Sequence, residues 1–454
     1  MRRGVRTLVV WVAAAALLGA WWSLRGGERL AESGGAARRP LLDGARAIDV
    51  DAIDSIRLAR RDAPPLEFVR ENGQWRQTAP FALDLDPWSA RQMAVEAAAL
   101  ARVREVAPND VDPARLGLAP PVATLTLAGG GKTRTIELGK RGVAGRAFAR
   151  VDGDPATYVV EGDLYERAVE TDAREWRSRS LFPDALGRPM TLRWTLGDGT
   201  IDLARAGDRW AIAAPVKTRA DTGRVDDLLA ALVRARGDGF LADQPKDLAA
   251  FGLAAPAARL SVTYEGEHGP STRTLLVGTP LGVGTPDRYA LIEGSSTVIR
   301  LSAATQAMLF PRLAELVEPT GSGVRAADVK RIEVRPKQGD AFELVRDLDR
   351  WTASRIASGK PGPSVPCPPG LPEKLLNELC GTRTPEMSFG PFPAELEAAQ
   401  VIFFGFDLRP LDAVRIAKDD KTGRWGFENG DGVLRIAPAT VALPLSADDF
   451  GAPR

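Results

Sequence analysis

A few stretches of this 454-residue sequence carry residue types that could do chemistry. Gly129-Gly130-Gly131-Lys132-Thr133 ends like a loop that cradles phosphate. Such a loop needs another glycine five residues before Gly131, where Thr126 stands, and must open a helix whose amides face the phosphate. Here it leads into a strand pattern, so a hairpin turn is the better reading. His268, the single histidine, lies in Glu265-Gly266-Glu267-His268-Gly269-Pro270, a turn composition that reads as solvated surface. Catalysis through it would need a nucleophile and an orienting acid that the sequence does not place. Acidic pairs stand at Asp226-Asp227, Asp419-Asp420 and Asp448-Asp449. Paired carboxylates cleave glycosides only at a set separation across a cleft, and sequence neighbours say nothing of that. Two cysteines and one histidine are too few for a zinc site. Catalytic, cofactor-binding and metal-binding residues are therefore expected to be none, and the protein is read as not an enzyme.

The elements that would position any site repeat. Leu66-Glu67-Phe68-Val69-Arg70 is followed after four residues by Trp75. Ile201-Asp202-Leu203-Ala204-Arg205 leads in the same way to Trp210, and Phe342-Glu343-Leu344-Val345-Arg346 to Trp351. The tryptophans recur at intervals of 135 and 141 residues. Alternating polarity before each turn suits a half-covered strand. The turns Glu71-Asn72-Gly73-Gln74 and Ala206-Gly207-Asp208-Arg209 hold the residues that tight hairpins need, whereas Asp347-Leu348-Asp349-Arg350 lacks glycine. Trp75, Trp210 and Trp351 then open the returning strands as core residues. Asp86 and Asp221 stand as helix caps before runs with apolar residues at helical spacing. Leu164 to Ser180 reads as a second helix. A sharp corner occurs twice, as Leu116-Gly117-Leu118 with Pro121 and as Phe251-Gly252-Leu253 with Pro256. In the third copy the corner is missing, and Thr320-Gly321-Ser322-Gly323 is a short linker before it. Val401-Ile402-Phe403-Phe404-Gly405-Phe406 reads as a buried central strand, with a sticky partner surface as the alternative.

The N-terminus adds a membrane signal. Arg2, Arg3 and Arg6 precede 18 uncharged residues, Thr7 to Leu24. As a helix these would be about 27 Å long, enough to cross a bilayer core. Arginines on that side favour a cytoplasmic N-terminus, and Trp21 and Trp22 suit the far interface. A cleaved signal peptide is the competing reading. The expected fold class is α+β, an N-terminal transmembrane helix followed by three repeated units of antiparallel strands with packed helices. Its parts are an anchor at 7–24, a flexible tether at 25–46, repeat units at 47–187 and 188–319, and a degenerate unit at 320–454. The expected location is the inner (cytoplasmic) membrane, single pass, with the body on the extracytoplasmic side. That compartment is oxidising, which favours a disulfide between Cys367 and Cys380. Cys380 also fits the apolar face of a helix beside Leu376 as a plain core thiol. The 60 basic and 59 acidic residues nearly cancel, and without a basic stripe nucleic acid is not an expected partner.

The anchor, the hairpin ending in tryptophan, the capped helix, the Gly-Leu corner with its proline, and strands ending in Leu138-Gly139 and Val277-Gly278 together resemble the domain-of-unknown-function family 4340. The resemblance implies an envelope protein associated with auxiliary ABC-type transport systems of the gliding-motility kind. The expected function is a non-catalytic, membrane-anchored envelope protein that binds protein partners, ABC transporter components among them. The alternative is an envelope module that binds cell-wall glycan or another ligand.

Overall fold

The computed structural model describes residues 39–183, 187–266 and 269–453. Among these residues the strands form three sheets of ten, nine and ten strands. Neighbours in all three pair antiparallel, as Ile53–Arg60 does with Leu66–Glu71, Arg188–Leu196 with Gly199–Ala206, and Arg331–Pro336 with Phe342–Asp347. In the first sheet Ile53–Arg60, Leu66–Glu71 and Gln74–Ala79 run as a meander. The helix Pro87–Ala98 then carries the chain to Ala101–Glu105 at the far side. Ala123–Gly129 returns to pair with the opening strand. Lys132–Arg141, Ala147–Val151 and Tyr158–Val160 fill the gap back to Ala101–Glu105.

The other two sheets follow the same path. In the second, Arg188–Leu196 opens the meander and Ala258–Gly266 returns beside it. Gly239–Asp243 forms the far edge, paired with Thr297–Leu301. In the third, Arg331–Pro336 opens, Glu397–Phe404 returns beside it, and Glu386–Phe389 forms the far edge, paired with Val433–Ala437.

The repeated motif sits at the same place in each sheet. Arg70 pairs with Trp75, Arg205 with Trp210 and Arg346 with Trp351 across the hairpins. The three tryptophans are 7%, 4% and 6% exposed, so each is a core residue of its sheet. The corner explains its own glycines. Gly117 and Gly252 hold φ of 74° and 67°, a left-handed backbone that glycine adopts without a Cβ clash. The corner docks on the strand glycines: a Cβ at Gly139 would collide with the Leu116 carbonyl oxygen, and one at Gly278 with the Phe251 carbonyl oxygen. Leu118 and Leu253 are buried beside these contacts. The caps are also real. The Asp86 carboxylate accepts from the Trp88 amide at 3.0 Å, and the Asp221 carboxylate from the Gly223 amide at 3.1 Å.

Several expectations are corrected. The fold class is not α+β; among the described residues it is mostly antiparallel sheet. The main helix of each sheet is only 12, 13 or 6 residues long and rides on nine or ten strands. The expected helix at 164–180 breaks into short turns, Asp163–Tyr165, Glu166–Glu170 and Ala173–Trp176. Among the described residues no helix is long and apolar enough to cross a membrane; the 7–24 segment and His268 lie outside them. The expected tether at 25–46 is ordered structure from residue 39, where Arg39–Pro40 pairs with Ala101–Glu105 and Leu41 and Leu42 are buried.

Two compact units emerge from the packing: one ends at Ser178 and the other begins at Arg179. The second and third sheets share the latter. Val433, on a strand of the third sheet, packs in the core of the second. Thr320-Gly321-Ser322-Gly323, expected to be a linker, is a buried clasp: Ser322 is fully buried, and its amide donates to the Leu379 carbonyl at 2.8 Å.

Candidate functional site

A cleft of about 1060 Å³ lies within the second compact unit, between its two sheets. One wall is the edge of the second sheet, Arg209–Ala214 and Thr218–Arg219. The other is Trp351 with the helix Leu371–Leu376 and the turn Asn377–Gly381. The clasp at 320–323 and the turn at 429–431 close the back. Trp210 and Trp351, the same position of two repeats, therefore line one cavity.

Behind the cleft the two sheets are tied by a buried charge network. Arg435 is fully buried. Its Nε donates to the Glu318 carbonyl at 2.8 Å, and its terminal nitrogens reach the Asp431 carboxylate at 2.7 Å and Thr218 Oγ1 at 3.1 Å. Thr218 also donates to Asp431. Burial pushes the Asp431 carboxyl up, but hydrogen bonds and charge from Arg435, with Thr218 and the Val433 amide, outweigh it and hold the group below its ordinary value. Each partner is needed, because an unpaired charge at this depth is costly.

Arg219 stands closer to the opening. It donates to the Thr320 carbonyl at 3.2 Å and lies 3.6 Å from Asp412. Its Nε is buried without an acceptor and packs against Gly323, where there is no room for a Cβ. Burial, then the like charge of Arg435, lowers its pKa from the usual arginine value. Ser322 Oγ donates to Asp412 at 2.7 Å, which fixes the carboxylate facing Arg219.

The predicted pair Cys367 and Cys380 is corrected: both thiols are free. The Pro/Gly-rich stretch from Ser358 to Gly370, which would have to fold back along the helix Leu371–Leu376 to join the two sulfurs, does not do so. It extends the sheet edge, with Lys360–Pro361 and Val365–Pro366 pairing to Arg350–Ala357. The Cys367 amide donates to the Trp351 carbonyl at 2.9 Å, while Cys380 lies in the helical turn beside Ser322. Burial, with a smaller push from Glu373, raises the Cys367 thiol to about 11. Burial raises Cys380 to about 12 against an opposing hydrogen bond from Ser322. The Cys380 thiol is therefore protonated at neutral pH and a poor nucleophile, although it lines the cleft. Sequence reasoning singled out Trp210, Trp351 and Cys380 but missed Thr218, Arg219, Asp431 and Arg435. A lone arginine in an alternating strand such as Val433–Ala437 carries no local sign that it points inward.

These features define a protein of repeated antiparallel sheets, with a polar-backed cleft where two of them meet. The model of the family described as Domain of unknown function (DUF4340) matches residues 75–209 and 210–375. The chain belongs to this family. Each matched segment begins at a repeat tryptophan, Trp75 or Trp210. No curated protein matches the chain. Among solved structures, a crystal structure titled "Putative DNA polymerase III beta subunit", from Eubacterium rectale, aligns at 7% identity over 88% of this chain and 94% of that one. Its TM-score of 0.14 is too low to carry an argument.

Proposed function

We propose that this protein is a non-catalytic binding module of the cell envelope and that its ligand sits in the cleft between the second and third sheets. The observation that carries this reading is the cleft itself, about 1060 Å³ with Trp210 and Trp351 on its walls. Ligand sites are typically concavities of about 300–1,000 Å³ with aromatic lining and a few placed polar groups. The proposed location is the extracytoplasmic face of the cytoplasmic membrane, supported by the uncharged run Thr7 to Leu24 behind three arginines. Native mass spectrometry of the full chain purified from membranes tests the reading. A co-purifying small molecule that is lost on Ala327→Trp, a substitution of an exposed lining residue, is the expected result. A chain that carries no such molecule, or carries it equally after Ala327→Trp, would count against the cleft.

A second reading, binding of protein partners, is favoured by a different feature. Leu348, Phe406 and Leu408 are 88%, 66% and 62% exposed. They occupy two turns at one end of the third sheet, joined by Lys330, whose Nζ lies 5.9 Å over the Phe406 ring and donates to the Arg346 carbonyl. Exposed apolar clusters of this kind suit a partner surface. An accessory role beside an ABC-type transporter rests on the family resemblance. Crosslinking in intact membranes should capture a defined protein with the native chain and lose it with Phe406→Ser.

A further inference from the structure

Building on the cleft as the ligand site, we propose that it takes an amphiphilic anion, an acidic group carried on an apolar body. Five cations line it, Arg209, Lys217, Arg219, Arg325 and Arg346, against Glu318, Glu373 and Asp431. Asp431 is already neutralised by the buried Arg435. Arg325 is held by Asp328 at 2.8 Å, and Arg219 faces Asp412. Arg209, Lys217 and Arg346 pair with no carboxylate among the described residues, against two lining carboxylates, Glu318 and Glu373, that pair with no cation there, so the cleft keeps a small positive excess. Arg346 is held in place by the Leu348 carbonyl at 3.1 Å. Unpaired cations around a concave opening raise the local concentration of anions. The apolar half of the ligand is read from the walls, where Trp210, Trp351, Leu376 and Val324 face the same space. Lining that is both cationic and apolar suits neither a neutral glycan nor a bare inorganic anion.

The test uses two fluorescent probes of one shape, the anion 1-anilinonaphthalene-8-sulfonate and its neutral parent N-phenyl-1-naphthylamine. The full chain should bind the sulfonate saturably. Arg209→Gln combined with Lys217→Gln, both exposed positions, should weaken the sulfonate at least tenfold and leave the neutral probe unchanged. Arg346→Gln should act in the same direction. Ala327→Trp should exclude both probes. Octyl phosphate should displace the sulfonate where inorganic phosphate does not. Displacement by phosphatidylglycerol vesicles as well would identify a lipid as the source, and displacement by octyl phosphate alone a soluble amphiphile; both support the proposal. Equal binding of both probes, unaffected by the glutamine variants but lost with Ala327→Trp, would overturn the anionic ligand and leave the cleft as the site. Sulfonate binding that survives Ala327→Trp would overturn the cleft itself.

Discussion

The hairpin turn of the second sheet and that of the third ask the same thing of the backbone and receive different residues. Gly207 holds φ of 64° in the one, and Leu348 holds φ of 54° in the other. The first sheet sides with the second, placing Asn72 and Gly73 there. A left-handed leucine costs about 1–2 kcal/mol in backbone sterics, and this one is also left in solvent. The same contrast recurs elsewhere. Asp86 and Asp221 cap the first two main helices, while Gly370 stands before the third without a side-chain cap. Gly139 and Gly278 receive the docked corners, whereas the third sheet runs Ile416-Ala417 along the corresponding strand, packed by the short turn Ala394–Leu396, which has no Gly-Leu corner. The first two repeats thus follow local backbone demands closely. The third departs from them where it faces solvent, and it shares a charge network with the second.

The largest effect should come from breaking that network. Arg435→Met leaves Asp431 buried without its cation, a change that costs about 3–5 kcal/mol when a buried pair is broken. Denaturant unfolding should show the loss in the unit from Arg179 onward and spare the one ending at Ser178. Equal losses in both would show that the division between them is wrong.

The corner glycines come next. Gly139→Ala and Gly278→Ala should each destabilise their own sheet by about 1–3 kcal/mol through overpacking against a carbonyl oxygen. Ala417→Gly in the third sheet should relieve nothing. Thermal unfolding of the three variants would show whether the corner contact is specific to the first two repeats.

Acid should sharpen the comparison in one direction. The Asp431 pKa is lowered in the folded state, so its stabilisation is fully present above the ordinary value of 3.8 and is lost as pH falls through the lowered one. Asp431→Asn should remove that part of the acid dependence in the second unit. An acid limb unchanged in the variant would show that other carboxylates set it.

The smallest effect should have the opposite sign. Leu348→Gly installs the residue type that the second repeat uses and should stabilise the third sheet by up to about 1 kcal/mol, the strain relieved being partly offset by the flexibility of an unfolded glycine. If the exposed leucine serves partner binding, the same variant should capture less of the crosslinked protein. A destabilised Leu348→Gly would mean that the leucine packs where it stands.

The repeat, its hairpins, its caps and its corners are all legible in the order of the residues. Each is written within a few positions, because a left-handed turn demands glycine or asparagine, an open helix end takes aspartate, and a half-covered strand alternates. Helices are overstated by the same reading, since helical spacing over a few turns does not reveal that a segment will break, as 163–176 does. The cleft arises only in three dimensions. Thr218 and Asp431 are 213 residues apart in sequence, and nothing local to either predicts the other. The burial of Arg435 likewise depends on a carbonyl 117 residues away. Cys367 and Cys380, close in sequence, are kept as free thiols because backbone pairing draws the insertion to the sheet edge and not along the helix. Local periodicity sets which way a side chain alternates, but the packing of one sheet on another decides which polar groups are buried together and where a cavity remains.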